Sequence, residues 1–149
     1  MRGAVTAHMA APGDRVWALL SDVSSIGRDS PETFEAEWLD GATGPTVGAR
    51  FRGHVKRNGK GPTYWTTCTV TDCVPGRTFA FVVGPEQRPL NTWRYDLVQR
   101  GEGTDVTESF ELGSTPLVHS YGALLGWAGG RTNRNGMRTT LERIKAEVE

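Results

Sequence analysis

Only one stretch of this chain can make a long helix, and nearly everything before it reads as strand. It runs from Thr115 to Glu149. Met137, Leu141, Ile144 and Val148 recur there at the spacing of one helical stripe. Arg138, Glu142, Arg143, Lys145 and Glu147 fill the other positions, as on a half-buried helix. Upstream, Leu117, Tyr121, Leu124, Leu125 and Ala128 form a second stripe. At about 100° per residue, the step from Ala128 to Met137 turns the helix by roughly half a revolution. On a straight helix the two stripes would lie on opposite sides. Either the helix breaks near Gly129-Gly130, since glycine is a poor helix former, or it continues. In the second case Gly126, Gly130 and Asn133 fall on the core face, which suits a helix lying over a cavity.

The strands come in order. Gly3 to Met9 alternates weakly and reads as a first strand. Pro12-Gly13-Asp14 opens a short helix, with Pro12 suited to a helix start and Val16, Trp17, Leu19 and Leu20 on its apolar side. Val23 to Ser30 reads as a second short helix, stopped by Pro31. From Thr33 the period becomes two, with Phe34, Ala36 and Trp38 against Glu35 and Glu37. Arg50 to Arg57 alternates again, with one strongly cationic face made by Arg50, Arg52, His54 and Lys56. Asn58-Gly59 is a hairpin signal. Thr63 to Val74 is rich in β-branched residues. Thr78 to Val83 follows the turn Pro75-Gly76-Arg77. Thr92 to Gln99 puts Trp93, Tyr95 and Leu97 on one face. Asp105 to Leu112 puts Val106, Phe110 and Leu112 inward. Strands joined by tight turns imply an antiparallel meander. The expected class is therefore α+β: a curved antiparallel sheet of about seven strands gripping the long C-terminal helix, with two short helices between strands 1 and 2.

At 149 residues, the chain is long enough for one domain with a proper core, expected over 1–149. Seventeen basic and 17 acidic residues cancel. No basic excess points to nucleic acid or to an anionic membrane surface. The first residues lack a signal-peptide pattern, and no segment is long enough to span a bilayer. A cytoplasmic monomer or homodimer is expected. Cys68 and Cys73 are five positions apart on one strand, so they should face opposite ways, which disfavours a disulfide. Buried free thiols are the favoured state.

The order of elements and its local words resemble the START-like helix-grip superfamily, in particular the polyketide cyclase/dehydrase-like SRPBCC proteins. The words are Pro12-Gly13-Asp14-Arg15-Val16-Trp17, Val47-Gly48-Ala49-Arg50-Phe51, Val74-Pro75-Gly76-Arg77-Thr78-Phe79, Asn91-Thr92-Trp93-Arg94-Tyr95 and Gly103-Thr104-Asp105-Val106-Thr107-Glu108-Ser109. They cover nearly the whole chain. The resemblance implies a deep apolar cavity between sheet and helix that holds a hydrophobic or amphipathic small molecule, such as a lipid, a sterol or a polyketide-like compound. It carries no common catalytic motif. A cofactor-independent cyclase or dehydratase using the same cavity is the alternative, and a protein-interaction module without ligand is a third.

Glu108 shares strand parity with Val106 and Phe110, so it should point inward. A carboxyl in an apolar pocket has a raised pKa and can handle protons or anchor a ligand; a bulge or an arginine partner would instead give it a structural role. Tyr95 is the second candidate proton handler. The candidate ligand-contacting set is Phe51, Trp65, Phe79, Phe81, Trp93, Phe110, Tyr121, Leu125 and Gly130. Tyr64 and Trp65 face opposite ways, and one of them is inward. The histidines at 8, 54 and 119 are scattered, so no metal site is expected, and no cofactor-binding motif is present.

Overall fold

The computed structural model describes residues 2–31, 33–56, 62–113 and 134–149. In chain order the elements are β1 (Arg2–Met9), α1 (Gly13–Leu20), a single 3₁₀ turn (Val23–Ser25), α2 (Ile26–Asp29), β2 (Thr33–Trp38), β3 (Arg50–Val55), β4 (Tyr64–Val74), β5 (Thr78–Val83), β6 (Asn91–Arg100), β7 (Gly103–Leu112) and a C-terminal helix, α3, over 134–148. The strands form one antiparallel sheet in the order β1-β7-β6-β5-β4-β3-β2. From β2 to β7 it is a meander, and β1 returns to pair with β7. This is the expected helix-grip architecture.

Local chemistry explains the joints. Between β4 and β5, Arg77 N–H donates to the Val74 carbonyl at 2.9 Å. Pro75 and Gly76 stand between them, and Gly76 has φ +77°. That is the turn in which proline presets the first position and glycine takes the left-handed second one. The second short helix is less regular than its sequence suggests. Asp22 caps the 3₁₀ turn by accepting from the Ser24 N–H, and α2 then lasts only four residues.

The α3 stripe behaves as its period predicts. Met137, Leu141, Ile144 and Val148 are all buried. Leu141, Ile144 and Val148 join one core with Met9, Val16, Leu20, Val70, Phe79, Leu97 and Val106. Aromatic rings extend this core sideways: Trp38 meets Phe51 at 5.7 Å, Phe51 meets Phe81 at 5.0 Å, and Phe81 meets Phe79 at 5.8 Å. Edge and tilted contacts of this kind add about 0.5–1.5 kcal/mol each beyond area burial. The hairpin signal Asn58-Gly59 and, within the range Gly126–Gly136 whose continuity the sequence leaves open, residues 126–133 lie outside the described set.

Two bulges overturn simple parity. One lies between Thr33 and Glu35. It leaves Phe34 half-exposed, with its ring 4.4 Å from that of His54, while Ala36 and Trp38 pack on the core. The other lies between Val70 and Asp72. Before it, Cys68 faces inward; after it, Cys73 pairs with the buried Phe79 and also packs on the core. The expectation that the two cysteines face opposite ways is thus corrected, because the extra residue resets the alternation. Both remain free thiols.

The grip of α3 on the sheet can be measured. Leu141→Ala should lower stability by about 2–4 kcal/mol through the cavity it leaves. Glu142→Ala, one position away on the exposed side, should change it by less than about 0.5 kcal/mol. Equal effects in urea unfolding would show that this stripe does not cover the sheet.

Candidate functional site

The inward face of the sheet is filled at one end and hollow at the other. At the filled end α1 and the last turns of α3 cover Val70, Phe79, Leu97 and Val106. Toward the other end, the same strands line a cavity of about 150 Å³. Its walls come from successive inward positions: Phe51, Gly53 and Val55 on β3, Tyr64, Thr66 and Cys68 on β4, Phe81 and Val83 on β5, and Asn91, Trp93 and Tyr95 on β6. Gly136, Met137 and Thr140 of α3 close one side, and Ile26 and Ser30 at α2 close another. Gly53 carries no side chain into this space; a Cβ there would stand 3.1 Å from the Thr33 methyl.

Glu108 on β7 is the acid of this cavity. It is 4% exposed and stands directly opposite Tyr95 on β6 and Val5 on β1. The Tyr95 hydroxyl donates to Oε1 at 3.0 Å. The other oxygen, Oε2, is buried with no hydrogen-bond partner among the described residues. Burial pushes the Glu108 carboxyl from its ordinary 4.5 up to about 8, and the Tyr95 hydrogen bond pulls it back only in part. The Tyr95 phenol is itself held well above its ordinary value by burial, by the Glu108 charge and hydrogen bond, and by Asp29. At neutral pH the pair is therefore mostly a neutral acid and a neutral phenol. A neutral buried carboxyl can donate a hydrogen bond or a proton; once ionised it can take one.

Of the residues singled out in the sequence, the cavity brings together Glu108, Tyr95, Phe51, Phe81 and Trp93. Phe79 is fully buried but lies in the filled core, against Phe81. Phe110 is buried on the same inward face, with its ring 5.6 Å from that of Trp93, but does not line the cavity. Trp65 is on the opposite face of β4 and is 43% exposed. There it stacks on His54 at 4.2 Å, with the Arg52 guanidinium 4.1 Å above its ring. The inward member of the Tyr64–Trp65 pair is Tyr64. Tyr121, Leu125 and Gly130 lie outside the described residues.

Sequence reasoning missed Asn91, Thr66, Cys68, Met137 and Thr140. A signal existed for the first three. Asn91 shares parity with Trp93 and Tyr95, and Thr66 and Cys68 share parity with Tyr64. The Cys68 thiol is pushed up to about 12 by burial, so it is an inert wall group rather than a nucleophile. Among the described residues, no group of His, Cys, Asp and Glu side chains could hold a metal ion. Among them, too, no helix is long and apolar enough to cross a membrane.

Comparison with known proteins gives one family. The family described as polyketide cyclase / dehydrase and lipid transport matches residues 2–149. No curated protein matches the sequence. Among solved structures, a START superfamily protein from Mycobacterium smegmatis superposes with TM-score 0.76 at 13% identity, covering 99% of this chain and 96% of that one. The protein TTHA0849 from Thermus thermophilus gives TM-score 0.74 at 17% identity, covering 99% of this chain and 97% of that one. The di-domain ARO/CYC StfQ from the steffimycin biosynthetic pathway gives TM-score 0.74 at 14% identity, covering 99% of this chain and 50% of that one. At these identities the likeness is one of fold.

The buried carboxyl should be visible in stability. Its folded pKa is raised, so the stabilisation carried by the protonated form is complete below about 4.5 and is lost as pH rises through about 8. Glu108→Gln cannot ionise. Relative to that variant, the natural protein should lose stability between pH 5 and 9, on the order of 4 kcal/mol across the whole window. Urea unfolding at several pH values measures it. A difference that stays flat would mean that Glu108 meets water.

Proposed function

Because the chain belongs to the polyketide cyclase / dehydrase and lipid transport family, we propose that it binds a hydrophobic or amphipathic small molecule in the cavity between the sheet and α3. One observation carries this: an otherwise largely apolar cavity of about 150 Å³ contains a carboxyl with one oxygen unmatched. An apolar wall with a few convergent polar groups is the usual form of a small-molecule site. The volume matters as well. A cavity of this size takes roughly one six-membered ring. The ligand therefore belongs at the small end of the lipid, sterol or polyketide-like range.

A second function, a cofactor-independent cyclase or dehydratase, is favoured by the pair Glu108 and Tyr95. A general acid works best when its pKa lies near the operating pH, and a carboxyl at about 8 meets that condition. Glu108 would protonate a leaving hydroxyl, or take a proton beside a carbonyl once ionised. Tyr95 would fix the position of Oε1 throughout. The dry wall would exclude competing water.

Native mass spectrometry of protein purified from its own host tests the first function. A bound small organic adduct, lost when an apolar fluorescent probe is added, is the expected result. Neither adduct nor probe binding would remove both functions. Turnover of a ligand so identified separates the two: for an enzyme, Glu108→Gln should reduce the rate by about 10²-fold or more, whereas a carrier shows no turnover to lose.

A further inference from the structure

The polar groups of the cavity are few, and they are placed unevenly. Among its described lining residues there is no Arg, Lys or His. Glu108 presents Oε2 without a hydrogen-bond partner, while Oε1 already accepts from Tyr95. A second buried acceptor on the same lining, Asn91 Oδ1, also has no partner. Asn91, Trp93 and Tyr95 take successive inward positions on β6, and Glu108 stands across from Tyr95. Four residue steps along the strand lead from Asn91 to Tyr95, about 13 Å between Cα atoms at the usual rise. By register, the two unmatched oxygens therefore belong to residues on either side of the Trp93–Phe110 rung. Buried polar groups left in this state are costly until something completes them.

We propose that the cavity takes a small, neutral ring compound with oxygen at both ends: a carbonyl that accepts from the Glu108 carboxylic acid and a hydroxyl that donates to Asn91 Oδ1. This rests on the ligand-binding function above and names its ligand class.

The charge environment selects a neutral ligand. Beside Glu108, the Tyr95 phenol donates from β6 and Val5 stands opposite on β1, while Asp29 of α2 acts on Tyr95; the Cys68 thiol, the Tyr64 phenol, Met137 and Thr140 line the same cavity. Among the described residues of the cavity wall there is no cation. The carboxyl keeps its proton to about pH 8, and Oε2 is the oxygen left to carry it, since Oε1 accepts the Tyr95 hydrogen bond. The carboxyl then offers an O–H donor in the cavity wall. A ligand carboxylate or phosphate would be buried there without a counter-charge, at heavy cost. A ligand ammonium would require Glu108 to give up its proton first. The aromatic walls and the volume set the body of the molecule at about one ring.

The test uses five matched probes on the full chain: 4-(hydroxymethyl)acetophenone, 4-methylacetophenone without the hydroxyl, 4-(hydroxymethyl)benzoate, 4-(hydroxymethyl)benzylamine and the apolar 4-ethyltoluene. Binding is followed by calorimetry at pH 6.5 and pH 9. The hydroxyketone should bind at pH 6.5 at least tenfold tighter than the benzoate or the amine. It should weaken about tenfold by pH 9, because the fraction of protonated Glu108 falls by about that factor. Glu108→Gln should abolish that pH dependence, with folding checked by circular dichroism. Asn91→Leu should weaken the hydroxyketone about three- to tenfold and 4-methylacetophenone less than twofold. An amine that binds best and tightens with rising pH would make Glu108 a counter-ion and overturn the proposal. Equal binding of 4-ethyltoluene and the hydroxyketone would overturn it while leaving a ligand-binding cavity. Failure of all five probes, together with no adduct and no probe binding in the mass-spectrometric experiment, would remove the underlying function too.

Discussion

One sheet with one apolar face must be covered, and among the described residues a single long helix is there to cover it. The stripe Met137–Leu141–Ile144–Val148 meets that need. Its last three members share a core with residues from β1, α1, β4, β5, β6 and β7. Cover of this kind is worth about 1.5–3 kcal/mol per fully buried aliphatic side chain. The first turns of α3 carry smaller or more flexible groups, Gly136, Met137 and Thr140, and these face the cavity instead. The change from filled core to cavity is therefore written along the helix itself, where Gly136 and Thr140 face the cavity and Leu141, Ile144 and Val148 fill the core.

Charge is handled differently on the two faces. On the outer face Arg94 lies against both Asp72 and Asp96, Arg52 against Glu37, and His54 against Glu35. Each pair is partly open to water, so each adds little to stability. On the inner face, among the described residues, the polar side chain that pairs with Glu108 is a phenol. Among the described residues those exposed charges are paired while a buried carboxyl in the cavity wall has no counter-ion, and buried groups of this kind gather at functional sites.

Much of this was legible in the sequence, and the failures share a cause. Glu108 was placed inward by counting in twos from Val106 and Phe110, and no bulge interrupts β7 against either neighbour. The same counting failed at Phe34 and at the two cysteines because one extra residue reverses every later side chain, and nothing in the words Thr33-Phe34 or Val70-Thr71-Asp72 announces it. The contact between Tyr95 and Glu108 was out of reach for another reason. It depends on the register between β6 and β7, which the Gly101–Gly103 turn sets in three dimensions. Trp65 and Tyr64 are adjacent aromatics of opposite parity; composition alone could not say which enters the cavity. The cavity volume is a packing quantity summed over several strands and two helices, with no counterpart in any local pattern.

Each rung of the β1–β7 ladder joins residues far apart in the chain; the Thr6–Thr107 pair spans 101 positions. The other neighbouring strands follow one another directly in sequence. Closing so long a loop costs more chain entropy than closing any hairpin, and pairings of high sequence separation are the slow ones in folding. Val5 comes to stand opposite Glu108 through that one ladder. On this entropic ordering the meander assembles with its carboxyl still open on the β1 side. Water is withdrawn there only when the first strand of the chain is threaded against the last.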